Sequence, residues 1–77
     1  MPKRKPKPIG EQLKAARQAR GLKQHQVAAA AGIDQSLLSK IELSKRQPSI
    51  VQMCDLALVL GATFIADGKR TTLELEE

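Results

Sequence analysis

The chain is nearly without aromatic residues: of 77 residues only Phe64 is aromatic, and tryptophan and tyrosine are absent. Any core must therefore be assembled from Leu, Ile, Val, Ala and Met, which suits packed helices. One cysteine, Cys54, excludes an intrachain disulfide framework and a cysteine-based zinc site, and fits a reducing cytoplasm. No apolar run is long enough to span a bilayer; the longest, across residues 50–60, is interrupted by Gln52 and Asp55. No secretory apolar region follows the basic N-terminus, and Pro2 stands where myristoylation needs glycine. Histidine occurs once, as His25, so the sequence offers no ligand cluster for a metal.

A chain this short forms one domain, near the size at which a single core is marginally stable. A second protomer is an expected source of further burial. The net charge is +5, unevenly spread: +7 over residues 1–23, zero over 24–60 and −2 over 61–77. A basic excess confined to the N-terminal third suits a polyanion such as DNA, although solvated lysines alone give similar totals.

Three segments emerge from pattern and punctuation. Residues 1–8 alternate proline with Lys3, Arg4, Lys5 and Lys7, which blocks helix and predicts an extended arm. That arm is either a solubilising tail or a strand of cations following a phosphate backbone or entering a minor groove. Residues 9–61 read as helical. Ile9, Leu13 and Ala16 recur at helical spacing in a first helix over 9–20, stopped by Gly21. An alanine-rich second helix over 24–31 turns Val27, Ala28 and Ala31 inward.

Gly32 permits a tight left-handed turn, Ile33 plugs the corner beneath it, and Asp34 is placed to cap a third helix running to about residue 43. In that helix Leu37, Leu38 and Ile41 share one arc, opposed by Gln35, Ser36, Ser39, Lys40 and Leu43. The second arc is rich in hydrogen-bonding tips but carries one charge. A merely solvated face more often mixes Glu with Lys, so base-edge readout is the preferred interpretation. After a basic loop over 44–48, Ser49 with Gln52 forms a capping-box pair opening a fourth helix. There Ile50, Met53, Cys54, Leu56, Ala57 and Leu60 fall on the inward arc, with Val51, Leu58 and Val59 outside it. A helix apolar on several sides implies a partner protomer. Residues 62–77 change period, and Asp67-Gly68 marks a hairpin-type turn before an alternating strand over 71–76. The hairpin either packs on the helices or pairs with a second chain; a frayed acidic tail is the plainer alternative.

Residues 9–64 resemble the Cro/C1-type (XRE-like) helix-turn-helix domain of phage repressors and small bacterial regulators. The resemblance rests on Gly21-Leu22-x-Gln24, Val27-Ala28, Gly32-Ile33, Ser36-x-Leu38-Ser39-x-Ile41-Glu42, Lys45-Arg46-x-Pro48-Ser49 and Leu56-Ala57-x-x-Leu60-Gly61, in order and without insertion. It implies a mainly α, compact four- to five-helix domain with a C-terminal β-hairpin or strand, dimeric, and no cofactor or metal. It further implies base reading by Gln35, Ser36, Ser39 and Lys40. Gln24 would touch phosphate and brace the reading helix, with Lys45 and Arg46 on the backbone and Arg17 paired to Glu42 as a structural bridge. Lys23 stands where the family usually has Ser or Thr, weakening a cap and adding a phosphate contact. Leu43 is apolar where the family is polar, so it meets a thymine methyl, meets a protein partner, or lies exposed. Leu58 replaces a common lysine and, with Val51, Val59, Phe64, Ile65, Leu73 and Leu75, forms the expected dimer or partner surface.

The functional expectation is a bacterial or phage transcriptional repressor or autoregulator. It binds a palindromic operator on double-stranded DNA as a homodimer and acts in the cytoplasm at the nucleoid. The alternative is the antitoxin of a toxin–antitoxin pair, binding a toxin protein and autorepressing its operon. An enzyme is not expected: Asp34, Glu42 and Asp55 have cap, ion-pair and surface roles, His25 is at an exposed helix position, and Cys54 reads as inert packing.

Overall fold

The structure is a computed structural model that describes residues 8–66 and 71–75. Four helices precede a two-stranded sheet: α1 (Ile9–Ala19), α2 (Gln24–Ala31), α3 (Gln35–Glu42), α4 (Ile50–Leu60), β1 (Ala62–Ala66) and β2 (Thr71–Leu75). The expected hairpin forms within one chain, with β1 antiparallel to β2 and Phe64 opposite Leu73. The arm residues Lys3, Arg4, Lys5 and Lys7 and the Asp67-Gly68 turn lie outside the described residues.

Among the described residues the core is built from Leu, Ile, Val, Ala and Met, as a chain with one aromatic residue requires. Leu13 and Ala16 of α1, Val27 and Ala28 of α2, Leu38 and Ile41 of α3, and Met53, Leu56 and Leu60 of α4 form its buried cluster. Ile33 packs against it from the α2–α3 corner, as do Ala62 and Leu73 from the hairpin. Helix ends follow the punctuation. Gly32 adopts the left-handed conformation at φ 73° and closes α2, and the Ile33 N–H reaches back to the Ala28 carbonyl at 3.0 Å. Ser49 accepts from the Gln52 N–H at 3.1 Å, while the Gln52 side chain accepts from the Ser49 N–H at 2.9 Å, completing the capping box. Asp34 occupies the cap position of α3, yet its side chain makes no capping hydrogen bond.

Close approach fixes how α1 meets α3. Gly10 is buried, and a Cβ there would overlap the Ile41 carbonyl oxygen. Two long-range side chains then fasten the periphery. The Arg20 guanidinium donates to the Leu60 and Gly61 carbonyls, each at 3.0 Å, tying the end of α1 to the end of α4. Gln12 accepts from the Leu73 N–H at 2.8 Å and holds β2 against α1.

The orientation of α4 differs from the periodicity reading at two positions. Met53, Leu56, Ala57 and Leu60 are buried, but Ile50 is 77% exposed and Cys54 is exposed. Both residues lie on the same side as Val51 and Leu58, which are also exposed. The inward arc is narrower than the apolar arc because α4 packs on α2 and the hairpin, and among the described residues no element covers its outer side. No helix among the described residues is long and apolar enough to cross a membrane.

Candidate nucleic-acid interface

Helix α3 places its two arcs as the sequence predicts. Leu38 and Ile41 are buried and Leu37 is half-buried, whereas Gln35, Ser36 and Lys40 are exposed and Ser39 is half-buried. The tips expected to read bases therefore share the outer side of one short helix, with Leu43 exposed at its end. Lys45 and Arg46 are exposed in the following loop. Ser44 opens that loop in the left-handed conformation at φ 62°, and the Lys45 N–H bonds the Lys40 carbonyl at 2.9 Å. A non-glycine residue in this conformation turns the chain sharply and sets where the two cations emerge.

Beneath this face lies one connected polar network. Glu42 is buried, and its carboxylate meets Arg17 at two points, Nε at 2.8 Å and Nη2 at 3.1 Å. The remaining Arg17 nitrogen donates to the Leu22 carbonyl at 3.0 Å, pinning the α1–α2 turn. Gln24 donates from Nε2 to Glu42 at 3.0 Å, and its Oε1 accepts a longer bond from Gln35 at 3.5 Å. A buried charge is tolerated when paired and fully hydrogen-bonded, and this one is. The network joins the end of α3 to α1 and the start of α2, and reaches Gln35 at the start of α3. It fixes the end of the helix at Glu42, with the 3.5 Å contact of Gln35 a weaker tie at its start.

Helix α2 begins at Lys23, whose backbone N–H is accepted by the Gln26 side chain at 2.8 Å. Lysine has no acceptor for the reciprocal bond, so only half of a capping box exists, and Lys23 is exposed. An open hollow of about 460 Å³ lies between α1, α2 and α3, lined by Lys14, Lys23, Gln24, Ser39 and Leu43 among others. Lys14 is an exposed cation on the rim that residue patterning did not single out; its position on α1 beside Arg17 was the available signal. Of the expected partner-surface residues, Val51 and Leu58 are exposed, while Val59 and Leu73 are partly buried against the core. The side chains of Phe64, Ile65 and Leu75 lie outside the described residues. No cluster of three or more potential metal ligands exists among the described residues.

A short helix with an outward row of hydrogen-bonding tips, preceded by a helix and a tight turn, is the helix-turn-helix arrangement of a DNA-binding transcriptional regulator. Residues 13–65 match the helix-turn-helix family model, and the chain belongs to the Cro/C1-type (XRE-like) branch that its motifs indicated. It is similar to an uncharacterized HTH-type transcriptional regulator, y4dJ, of Sinorhizobium fredii, 32% identical over 57 residues that cover 74% of each chain. A second such regulator of that strain, y4dL, is 32% identical over 62 residues; the match covers 80% of this chain but only 32% of the relative. Among solved structures the fold resembles the restriction-modification controller protein C.AhdI of Aeromonas hydrophila, with a TM-score of 0.67 and 34% identity. That match covers 69% of this chain and 80% of the other.

Proposed function

We propose that the protein is a repressor or autoregulator that binds a palindromic operator as a homodimer, acting in the cytoplasm at the nucleoid. The observation that carries this reading is the outward row Gln35, Ser36 and Lys40 on a helix whose base is fixed by the Arg17–Glu42–Gln24 network. Gln offers a donor and an acceptor to adenine N6 and N7, and Lys donates to guanine O6 or N7. Each good bidentate contact discriminates against a wrong base by ~1–3 kcal/mol. Lys23, Lys45 and Arg46, all exposed, surround the reading face with cations suited to phosphate. Two reading helices related by a two-fold axis enter successive major grooves about 34 Å apart, which makes the operator a palindrome. Likeness to regulators and to a controller protein supports the regulatory role.

The test is selection of bound duplexes from a random pool, followed by binding over a salt series. A two-fold-symmetric consensus and a steep loss of affinity with salt are expected. Failure to enrich any sequence, or affinity indifferent to salt, overturns the reading. The exposed Ile50, Val51 and Leu58 also favour a protein partner, which keeps the antitoxin alternative in view. Co-purification of a toxin polypeptide from the native host, lost in a Leu58→Lys variant, distinguishes it.

A further inference from the structure

The hollow between α1, α2 and α3 holds more positive charge than the fold uses. Its ionised lining residues are Lys14, Arg17, Lys23 and Glu42. Arg17 and Glu42 satisfy each other, and Glu42 also accepts from Gln24, so that pair adds no net charge to the wall. Lys14 and Lys23 are exposed, and neither ammonium is in an ion pair among the described residues. Two ammonium groups lining one concavity repel each other in the free protein. An anion seated in the hollow reverses that cost.

The other lining atoms narrow the kind of anion. Leu22 is half-buried and Leu43 exposed, so the hollow sets apolar surface beside its cations. A bare inorganic ion makes no use of the leucines, whereas a nucleic-acid backbone carries sugar carbons beside each phosphate. Ser39 contributes a hydroxyl donor to the same wall. That residue stands apart from the outward row of α3 in two ways. It is half-buried where Gln35, Ser36 and Lys40 are exposed. It also shares the hollow-lining flank with Leu43, one turn on, whereas Lys40 lies about 100° further around the helix.

We infer that this hollow seats one sugar–phosphate unit of the operator backbone. Lys14 of α1 anchors that phosphate beside Lys23, and Ser39 donates to it instead of reading a base edge. This rests on the DNA-binding face described above and adds a contact from the first helix to it. Lys45 and Arg46 follow α3 in the loop and do not line the hollow, so they hold a different phosphate. Separate grips on the backbone set the register of α3 in the groove.

The test is a methylphosphonate walk, in which single phosphates of the selected operator are replaced one at a time by the uncharged methyl analogue. Affinity is measured for the wild type, Lys14→Ala, Lys14→Arg, Ser39→Ala and Arg46→Ala, each with a urea midpoint to confirm folding. Lys14→Ala is expected to weaken binding to all sequences about tenfold and to reduce the salt slope by about 1. Lys14→Arg is expected to retain both. One replacement is expected to weaken the wild type and Arg46→Ala alike, yet cost Lys14→Ala little further affinity. Ser39→Ala is expected to lose affinity with base preference unchanged. A Lys14→Ala variant with wild-type affinity and salt slope, beside a weakened Arg46→Ala, overturns the inference and leaves the DNA-binding face intact. Altered base preference in Ser39→Ala returns that residue to the reading row and overturns its place in the hollow. If neither Lys14→Ala nor Arg46→Ala changes affinity or salt slope, the DNA-binding face falls as well.

Discussion

Arg17 and Glu42 stand 25 residues apart in sequence and meet in a two-point ion pair at 2.8 and 3.1 Å, with the carboxylate side chain only 2% exposed. The pair bridges α1 to the last residue of α3, so it fixes the placement of α3 as well as stabilising the fold. Removing one partner strands a charge where water does not reach. Arg17→Ala is expected to cost about 3–5 kcal/mol in urea unfolding, and the double substitution Arg17→Leu with Glu42→Leu appreciably less. A single variant that unfolds at the wild-type urea concentration refutes this account of the pair.

Gly10 supplies a prediction in which two effects oppose each other. Alanine is favoured over glycine inside a helix by about 1 kcal/mol. At this position, however, the added methyl overlaps the Ile41 carbonyl. Backbone cannot swing aside as a flexible side chain does, and overpacking costs roughly 1–3 kcal/mol or more. Gly10→Ala is therefore expected to lower the melting temperature despite its better helix propensity. A rise on thermal denaturation contradicts the close approach of α1 and α3.

Lys40 and Arg46 are both exposed cations, but they are expected to fail in different ways. Lys40 lies on the outward side of α3, so Lys40→Ala should change base preference at particular operator positions by ~1–3 kcal/mol. Arg46 sits in the loop after α3, so Arg46→Ala should weaken binding to all sequences alike and reduce the salt slope by about 1. Competition binding against single-base operator variants distinguishes the two. An identical response from both variants removes the distinction between reading and anchoring residues.

The exposed Cys54 thiol is expected to react with a thiol reagent in the native protein, at a rate close to that of the unfolded chain. Protection of the native monomer, relieved only by denaturant, would return Cys54 to the interior.

Much of the fold was legible in the residues because local chemistry dictates it. Gly21 and Gly32 take the left-handed conformation after α1 and α2, and Ser49 with Gln52 announces the start of α4. The arcs of α3 separated as drawn because that helix is amphipathic, with Leu38 and Ile41 opposed by polar tips. α4 was harder for the opposite reason. Apolar on several sides, it carries no polar stripe to mark its outer face, so Ile50 and Cys54 read as interior. The contacts that escaped sequence reading are those between distant segments. Nothing near Arg20 indicates that it seeks carbonyls about 40 positions away, and nothing near Gln12 anticipates Leu73. Gly10 offers only its missing side chain, which has many explanations until α3 is seen beside it. In the candidate site, the Arg17–Glu42 pair came from family resemblance, and the part of Gln24 in binding both Glu42 and Gln35 required the folded geometry.

The clasp between Arg20 and the carbonyls of Leu60 and Gly61 has a consequence for how the domain tolerates change. It turns the stretch holding α2, α3 and α4 into a lasso drawn tight at its neck, with the α3–α4 loop inside the enclosed stretch. Lengthening that loop then enlarges only the noose, at about 0.6 kcal/mol for each doubling, while the knot keeps its shape.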